Sequence, residues 1–419
     1  MDEPSSITGL FYYQGDFRRL EVEISEGKIS KISKALGGVK ITALNGAILP
    51  GSVDPHVHFR DPGETWKEDF HSGSMAAAFG GTTAVIDMPN NRIPIDNYST
   101  YMDKLGTVRN KSYVDFGLAS MFTGSNSSIL HKESSLIKTF LGNSTNSVIV
   151  QEISAKEAQA LKQLKAPKVF HLEDGKCLTD HAGREDSLPD HDMHRPVECE
   201  QKAFSTVREL DLGKKIAAHC SSYSDDMEKG FDYLEVTPHH LLLNAGMKLG
   251  SEGKVNPPLR SRDIQEKVLN AFVSGKFSFV GSDHAPHSDE DKEEFDQAKS
   301  GIIGVETRLP LMTALVNKKV LSMETFLRTN IVNAAEAYGI KKGKIEIGYD
   351  ADFVAIDFSN MKRLNENRLH SKRTVSPFNG FDVIFPSDVY IRGRKVIENY
   401  ELIDDPSGEY MPFLSSSPP

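Results

Sequence analysis

No stretch of this sequence comes near the ~18 consecutive apolar residues that a helix needs to cross a bilayer, so no membrane span is expected. Positive charge is also in short supply. Lysine and arginine number 49 against 59 aspartates and glutamates, a formal net charge of −10. Nucleic acid is bound by a basic face, so it is not an expected partner. Cysteine is nearly absent, at three residues, Cys177, Cys199 and Cys220. These show no metal-ligand spacing, and so sparse and odd a count reads as separate thiols in a reducing cytoplasm. The opening residues, MDEPSSITGL, lack both the basic region and the apolar core of a secretion signal, so none is expected. Missing too are internal repeats, low-complexity runs and a glycine-rich phosphate loop after the first strand. The last absence argues against a nucleotide-binding, doubly wound sheet.

What is present falls into two textures. Residues 1–50 alternate apolar and polar, as in Leu20-Glu21-Val22-Glu23-Ile24 and Lys28-Ile29-Ser30-Lys31-Ile32, punctuated by glycine and asparagine. Period-two alternation is the pattern of short, half-buried strands. Residues 344–419 repeat it. Ala351 to Asp357 reads as one strand, and Asp388 to Ile391 and Lys395 to Ile397 as two more, joined at Arg392-Gly393-Arg394. The final Ser-Ser-Ser-Pro-Pro reads as a disordered tail. The two ends together are expected to build one small β-sandwich domain. Between them, residues 51–343 alternate apolar strands with helical stretches. Strand candidates lie near 47–53, 82–87, 113–119, 135–141, 168–172, 215–219, 232–236 and 277–281. Ala155 to Lys165 and Pro196 to Leu210 carry apolar residues at helical spacing. About eight strand–helix units over ~290 residues are what a (β/α)8 barrel requires, so the expected fold class is α/β with a TIM-type barrel. A doubly wound open sheet is the alternative.

In such a barrel, catalytic groups project from the C-terminal ends of the strands. The first strand leads into VDPHVHFRDPG, Val53 to Gly63. His56 and His58 are two apart, and on an extended chain both side chains leave the same face. Arg60 shares that face if the strand continues. KVFHLED on strand five carries His171, and KIAAHCSS on strand six carries His219. FSFVGSDHAPH on strand eight carries Asp283, with His284 and His287 behind it. Each histidine taken alone reads as a hydrogen-bonded core residue. Four histidines and an aspartate in equivalent places on four strands read as metal ligands. Five ligands exceed one tetrahedral zinc, so two metal ions are expected. Two cations ~3.5–4 Å apart need an anionic bridge. Lys138, inside the apolar run Leu136 to Leu141, has two readings. Its amine snorkels to the barrel rim, or it has reacted with carbon dioxide and the carbamate bridges the metals. The residues alone leave both open.

These motifs, with GGTTAVIDMPNN, IKTFLG, LEVTPHHLLLN, KVNPPLR and GVETRLPLM, resemble those of the dihydroorotases, members of the metal-dependent amidohydrolase superfamily. The resemblance runs from about Leu49 to Asp357. It implies two zinc ions held by His56, His58, Lys138 as its N6-carboxylate, His171, His219 and Asp283. Some family members lack the lysine and use an aspartate; IKTFLG resembles the lysine-bearing, binuclear branch. Two departures, Cys220 where valine is usual and Ser282 where threonine is usual, fall on positions that are not ligands in the family.

The implied reaction is the reversible hydrolysis of dihydroorotate to N-carbamoyl-L-aspartate in de novo pyrimidine synthesis. Two zinc ions would lower the pKa of a bridging water to give hydroxide near neutral pH. Asp283 would carry the proton to the leaving amide nitrogen. The substrate's carboxylate suits a planar guanidinium. By resemblance, Arg60, Asn90 and His287 bind it, and Asn256 holds the ring. The bland alternatives are a turn at Asp87-Met88-Pro89-Asn90-Asn91 and a surface pair at Arg60-Asp61. Rival functions are another cyclic amidohydrolase (a dihydropyrimidinase, hydantoinase or allantoinase) and a non-catalytic homologue, which typically loses ligands. The expected partner is a small-molecule substrate. A homo-oligomer and a complex with aspartate transcarbamoylase both stay open.

Overall fold

The computed structural model describes residues 5–36 and 41–413. The tail expected at 415–419 lies outside the described residues. Four strands open the chain: β1 (Ser5–Tyr13), β2 (Asp16–Ser25), β3 (Lys28–Ser33) and β4 (Ile41–Pro50). Eight follow: β5 (Ser52–Val57), β6 (Thr82–Asp87), β7 (Asp115–Met121), β8 (Leu136–Phe140), β9 (Lys168–His171), β10 (Lys215–Ala217), β11 (Tyr233–Val236) and β12 (Phe279–Val280). The last six are β13 (Phe353–Ile356), β14 (Lys362–Arg363), β15 (Asp382–Val383), β16 (Asp388–Ile391), β17 (Arg394–Glu398) and β18 (Glu401–Leu402).

The two chain ends share one mixed sheet, in the order β18-β17-β16-β13-β4-β1-β2-β3. Its hairpins turn on two residues each, Gln14-Gly15, Glu26-Gly27, Arg392-Gly393 and Asn399-Tyr400, all with positive φ. That backbone twist matches the twist of the flanking strands. Ile7, Phe11, Val22, Ile48, Phe353 and Tyr390, drawn from both ends, fall in one buried cluster. Phe11 and Phe353 meet edge to face at 5.7 Å.

The middle of the chain forms the second sheet, β5 to β12 in sequential parallel order. Its strands are buried on both faces, as parallel strands covered by helices must be. The sheet closes on itself at both rims. At one rim Val57 bridges His284, and the His58 amide donates to the His284 carbonyl at 2.8 Å. At the other, the buried Arg308 guanidinium donates to Val280 O at 3.2 Å, to Thr82 Oγ1 at 3.1 Å and to Ser52 Oγ. Asp54 balances its charge at 3.4 Å. One side chain thus ties β5, β6 and β12 together. The architecture is a TIM-type barrel with a small β domain. Helices Ala155–Gln163 and Val197–Arg208 form where their spacing predicts them.

Two expectations need correction. The apolar run at 47–53 is not one strand. Ala47 to Pro50 belong to β4 and pair antiparallel with β13, while Ser52 starts the barrel. Gly51 makes the crossing, where an added Cβ would meet Thr83 at 2.4 Å. Burial in either sheet leaves the same apolar signature, so hydrophobicity does not mark the boundary. Cys177 and Cys199 are not separate thiols but form a disulfide across 22 residues. They lie in the helices Gly175–Asp180 and Val197–Arg208, which the fold brings together. Cys220 stays a buried free thiol.

Beyond the small sheet the chain returns to the barrel. Glu409 O accepts from the Phe116 amide at 2.9 Å, the Met411 amide donates to Phe116 O at 2.7 Å, and the Tyr410 and Tyr101 hydroxyls meet at 2.8 Å. No helix among the described residues is long and apolar enough to cross a membrane.

Candidate metal centre and substrate pocket

His56 sits inside β5, His58 one residue past it, Lys138 in the middle of β8 and His171 at the end of β9. His219 and Asp283 follow β10 and β12. The barrel brings these six side chains into one string of contacts. His58 Nε2 is 3.1 Å and His56 Nε2 3.4 Å from Asp283 Oδ1. Lys138 Nζ is 3.4 Å from His56 Nε2. The His56 and His219 rings lie 5.1 Å apart, and His219 Nε2 is 3.3 Å from His171 Nδ1. All six are buried. His219 and Asp283 hold left-handed backbone, with φ of 37° and 47°, as does Arg60 at 59°. For residues with a Cβ such conformations cost about 1–3 kcal/mol each and persist where the surroundings fix them.

Behind the cluster stand carboxylates that sequence reasoning left without a role. Glu235 on β11 accepts from His56 Nδ1 at 2.7 Å and from the His219 amide at 3.0 Å. Glu173 Oε2 lies 2.9 Å from His171 Nε2, and Arg195 in turn grips Glu173. Asp87 accepts from the Phe59 amide at 2.7 Å, fixing the chain between His58 and Arg60. The sequence did carry a signal for each. Glu235 and Asp87 are acidic residues within apolar strands (YLEV, VIDM) and Glu173 closely follows one (HLED), where an unpaired carboxylate would be costly.

The donor set fits metal ions. In both His56 and His171 one ring nitrogen faces a carboxylate and the other faces the cluster, the arrangement that fixes the tautomer of ligating imidazoles. His56, His58 and Asp283 present ligand atoms close enough together to hold one cation. Burial pushes the His58 imidazole down to about 3 against the pull of Asp283, and burial also lowers His171 and His219, so these rings are kept neutral, the form that can bind a metal ion. Burial alone would raise the Asp283 carboxyl, but the imidazoles of His56, His58 and His219 hold it well below its usual range. The Lys138 amine, buried and with His56 Nε2 its one hydrogen-bond contact among the described residues, is lowered to about 8.

A second group lies beside this cluster. Arg60 is 3 % exposed, so it is no surface residue, and Asp61 beside it is buried against Lys111. The Arg60 Nε donates to Pro286 O at 3.3 Å, its Nη2 is 3.3 Å from His287 Nε2, and its Nη1 is buried without a hydrogen-bond partner among the described residues. His287 also contacts Ser300 O at 3.1 Å and Asp291 at 3.5 Å. The structure therefore brings Arg60 and His287 together. Asn90 and Asn256 make other contacts. Asn90 donates Nδ2 to Thr145 O at 2.8 Å and leaves Oδ1 unpaired, and Asn256 Oδ1 lies 3.1 Å from His191 Nε2.

Comparison with known proteins follows the same lines. The amidohydrolase family profile matches residues 47–396. A dihydroorotase of Thermoplasma acidophilum is 53 % identical over 407 residues, covering 97 % of this chain and 98 % of that one. The dihydroorotase of Methanosarcina acetivorans is 34 % identical, over 92 % of this chain and 90 % of its own. Among solved structures, an L-hydantoinase from Arthrobacter aurescens superimposes with a TM-score of 0.89 at 23 % identity, covering 96 % of this chain and 98 % of that one, a likeness of fold. A dihydropyrimidinase from Brevibacillus agri gives 0.88 at 25 %, covering 99 % of this chain and all of that one. With the profile spanning most of the chain and near-full-length relatives at this identity, the chain belongs to the amidohydrolase family and, within it, to the dihydroorotases.

Proposed function

We propose that this chain is a zinc-dependent dihydroorotase that interconverts dihydroorotate and N-carbamoyl-L-aspartate in the cytoplasm. The observation that carries the reading is the pairing of the six-residue cluster with a buried guanidinium that has an unpaired Nη1 beside it. His56, His58 and Asp283 would hold one ion, His171 and His219 a second, and Lys138 as its N6-carboxylate would serve both. When bound, such a pair supplies an activated water and polarises the scissile carbonyl.

The chain's own residues do the rest. Asp283, an anion at the edge of the cluster, takes the proton of the attacking water and returns it to the leaving amide nitrogen. In the cyclising direction the same carboxyl runs the transfer backwards. Arg60 meets the ring carboxylate with its free Nη1, His287 and Asn90 complete that subsite, and Asn256 holds the ring. Excluding water from a pocket this buried strengthens each of these contacts.

A neutral ring would leave the Arg60 donors unpaired, a mismatch that discriminates by about a hundredfold or more. The test is metal analysis followed by turnover of dihydroorotate beside dihydrouracil, hydantoin and allantoin. Two zinc ions per chain and strong preference for dihydroorotate are expected. Equal turnover of dihydrouracil would replace this reading with a dihydropyrimidinase.

A further inference from the structure

Two adjacent histidines in the short helix after β11, Pro238–Leu242, are treated very differently by the fold. His240 is fully engaged: its Nδ1 meets Thr237 Oγ1 at 2.9 Å and its Nε2 meets Pro257 O at 3.0 Å. His239 is just as buried, at 1 % exposure, yet neither ring nitrogen has a hydrogen-bond partner among the described residues. Two orphaned polar atoms on one buried ring are rare in native structures and ask for an explanation. A core histidine would be satisfied as its neighbour is.

Its placement supplies one. β11 and β12 are parallel and in register, with Val236 beside Val280, and the Gly281 amide donates to Val236 O at 3.0 Å. His239 and Asp283 are each three residues beyond that register pair, at the same mouth of the barrel. Burial, with His240 beside it, pushes the His239 imidazole well below its usual range, against the pull of the Asp283 carboxylate. On the other side, the contact of His240 with Pro257 fixes the loop next to Asn256. His239 therefore sits at the same barrel mouth as Asp283, one residue from the side chain that holds the Asn256-Pro257 segment.

We infer that His239 is a substrate-contacting residue that donates a ring N–H to the ureide carbonyl of the bound cyclic amide. This rests on the reading of the site as a dihydroorotase. The bond that breaks joins the attacked carbonyl carbon to a ureide nitrogen. Its electron pair moves onto that nitrogen and is shared with the ureide carbonyl oxygen, while Asp283 delivers the proton. A donor on that oxygen stabilises the departing ureide, so the contact strengthens as the bond breaks. A neutral imidazole has one N–H to give. Arg60 reads the carboxylate; His239 reads the part of the ring that every cyclic ureide shares.

Two measurements test this. His239→Phe keeps the ring volume and removes the donor. With metal content unchanged, kcat should fall by about thirtyfold or more, with KM little altered and the same factor on dihydroorotate and dihydrouracil. His239→Gln, whose amide can donate, should recover part of the loss. In the wild-type holoenzyme with 15N-labelled histidine, N-carbamoyl-L-aspartate should shift the His239 ring signal and succinate, which has the carboxylates but no ureide, should not. A Phe variant within about twofold of wild type, or a ring signal indifferent to the ureide, overturns the inference. Should the Phe variant lose its metals or its fold, the signal in the wild type decides alone. A wild type inactive on dihydroorotate sinks the proposed function instead, a separate outcome.

Discussion

Lys342 and Lys138 are both buried lysines, and the structure surrounds them in opposite ways. Lys342, at the seam between barrel and small sheet, has Asp115 and Asp352 at 2.7 Å and Asp350 at 3.1 Å. Lys138, in the barrel, has a histidine nitrogen at 3.4 Å. The first is an ammonium ion fixed by three carboxylates. The second has no carboxylate within ion-pair distance among the described residues. Left-handed backbone divides along the same line. In the small sheet it occurs at Gln14, Glu26, Arg392, Asn399 and Tyr400, inside hairpin turns; in the barrel region it occurs at Arg60, His219 and Asp283 in the site as well as at Asn146 and Lys319. In the small sheet the left-handed residues complete turns; in the barrel three of them sit in the site cluster and its neighbouring guanidinium.

The sharpest way to break this contrast is Asp283→Ala. Removing the proton carrier should lower turnover by about a thousandfold or more in both directions while substrate still binds. A variant that loses binding but keeps its turnover rate would show the role to be misassigned.

The two lysines come next. Lys138→Ala should be almost inactive and partly rescued by small carboxylic acids, which would stand in for the missing carbamate. Full activity of that variant would end the idea of a carboxylated lysine. Lys342→Ala should leave kcat intact at low temperature but cost about 3–5 kcal/mol of stability, because its carboxylates are left buried and uncompensated. Chemical denaturation reads that directly.

Arg60→Ala should lower kcat/KM on dihydroorotate by about a hundredfold and leave dihydrouracil nearly unaffected. Arg60→Lys should not restore it, since a point charge does not reproduce the planar fork. Glu235→Gln tests the layer behind the ligands, and dialysis against chelator should show metal affinity reduced by about 10–100-fold. The smallest effect is expected in the turns. Gln14→Gly relieves a left-handed residue and should raise stability by about 0.5–1 kcal/mol without touching activity.

The clustered residues were legible in the sequence because each follows an apolar run at the same relative position, and a barrel gathers such positions at one rim. That places His56, His58, His171, His219 and Asp283 together; their reading as ligands drew also on the resemblance to the dihydroorotases. The supporting carboxylates Glu235 and Glu173 were harder to read, since one acidic residue in a strand does not say which imidazole it faces. Arg308 escaped altogether: nothing linear connects residue 308 to Ser52, Thr82 and Val280. The Cys177–Cys199 bond escaped for the same reason, being set by how two helices pack. The break at Gly51 was invisible because both sheets ask for the same apolar residues there.

The small sheet also has a history in time. β4 ends at Pro50, and its partner β13 starts at Phe353. A ribosome adding ~5–20 residues per second leaves the first four strands waiting tens of seconds with an open edge at β4. An open edge is a site for wrong pairing with another nascent chain. Anything that slows elongation through the barrel lengthens that exposure, so the yield of folded protein should depend on translation speed far from the segment at risk.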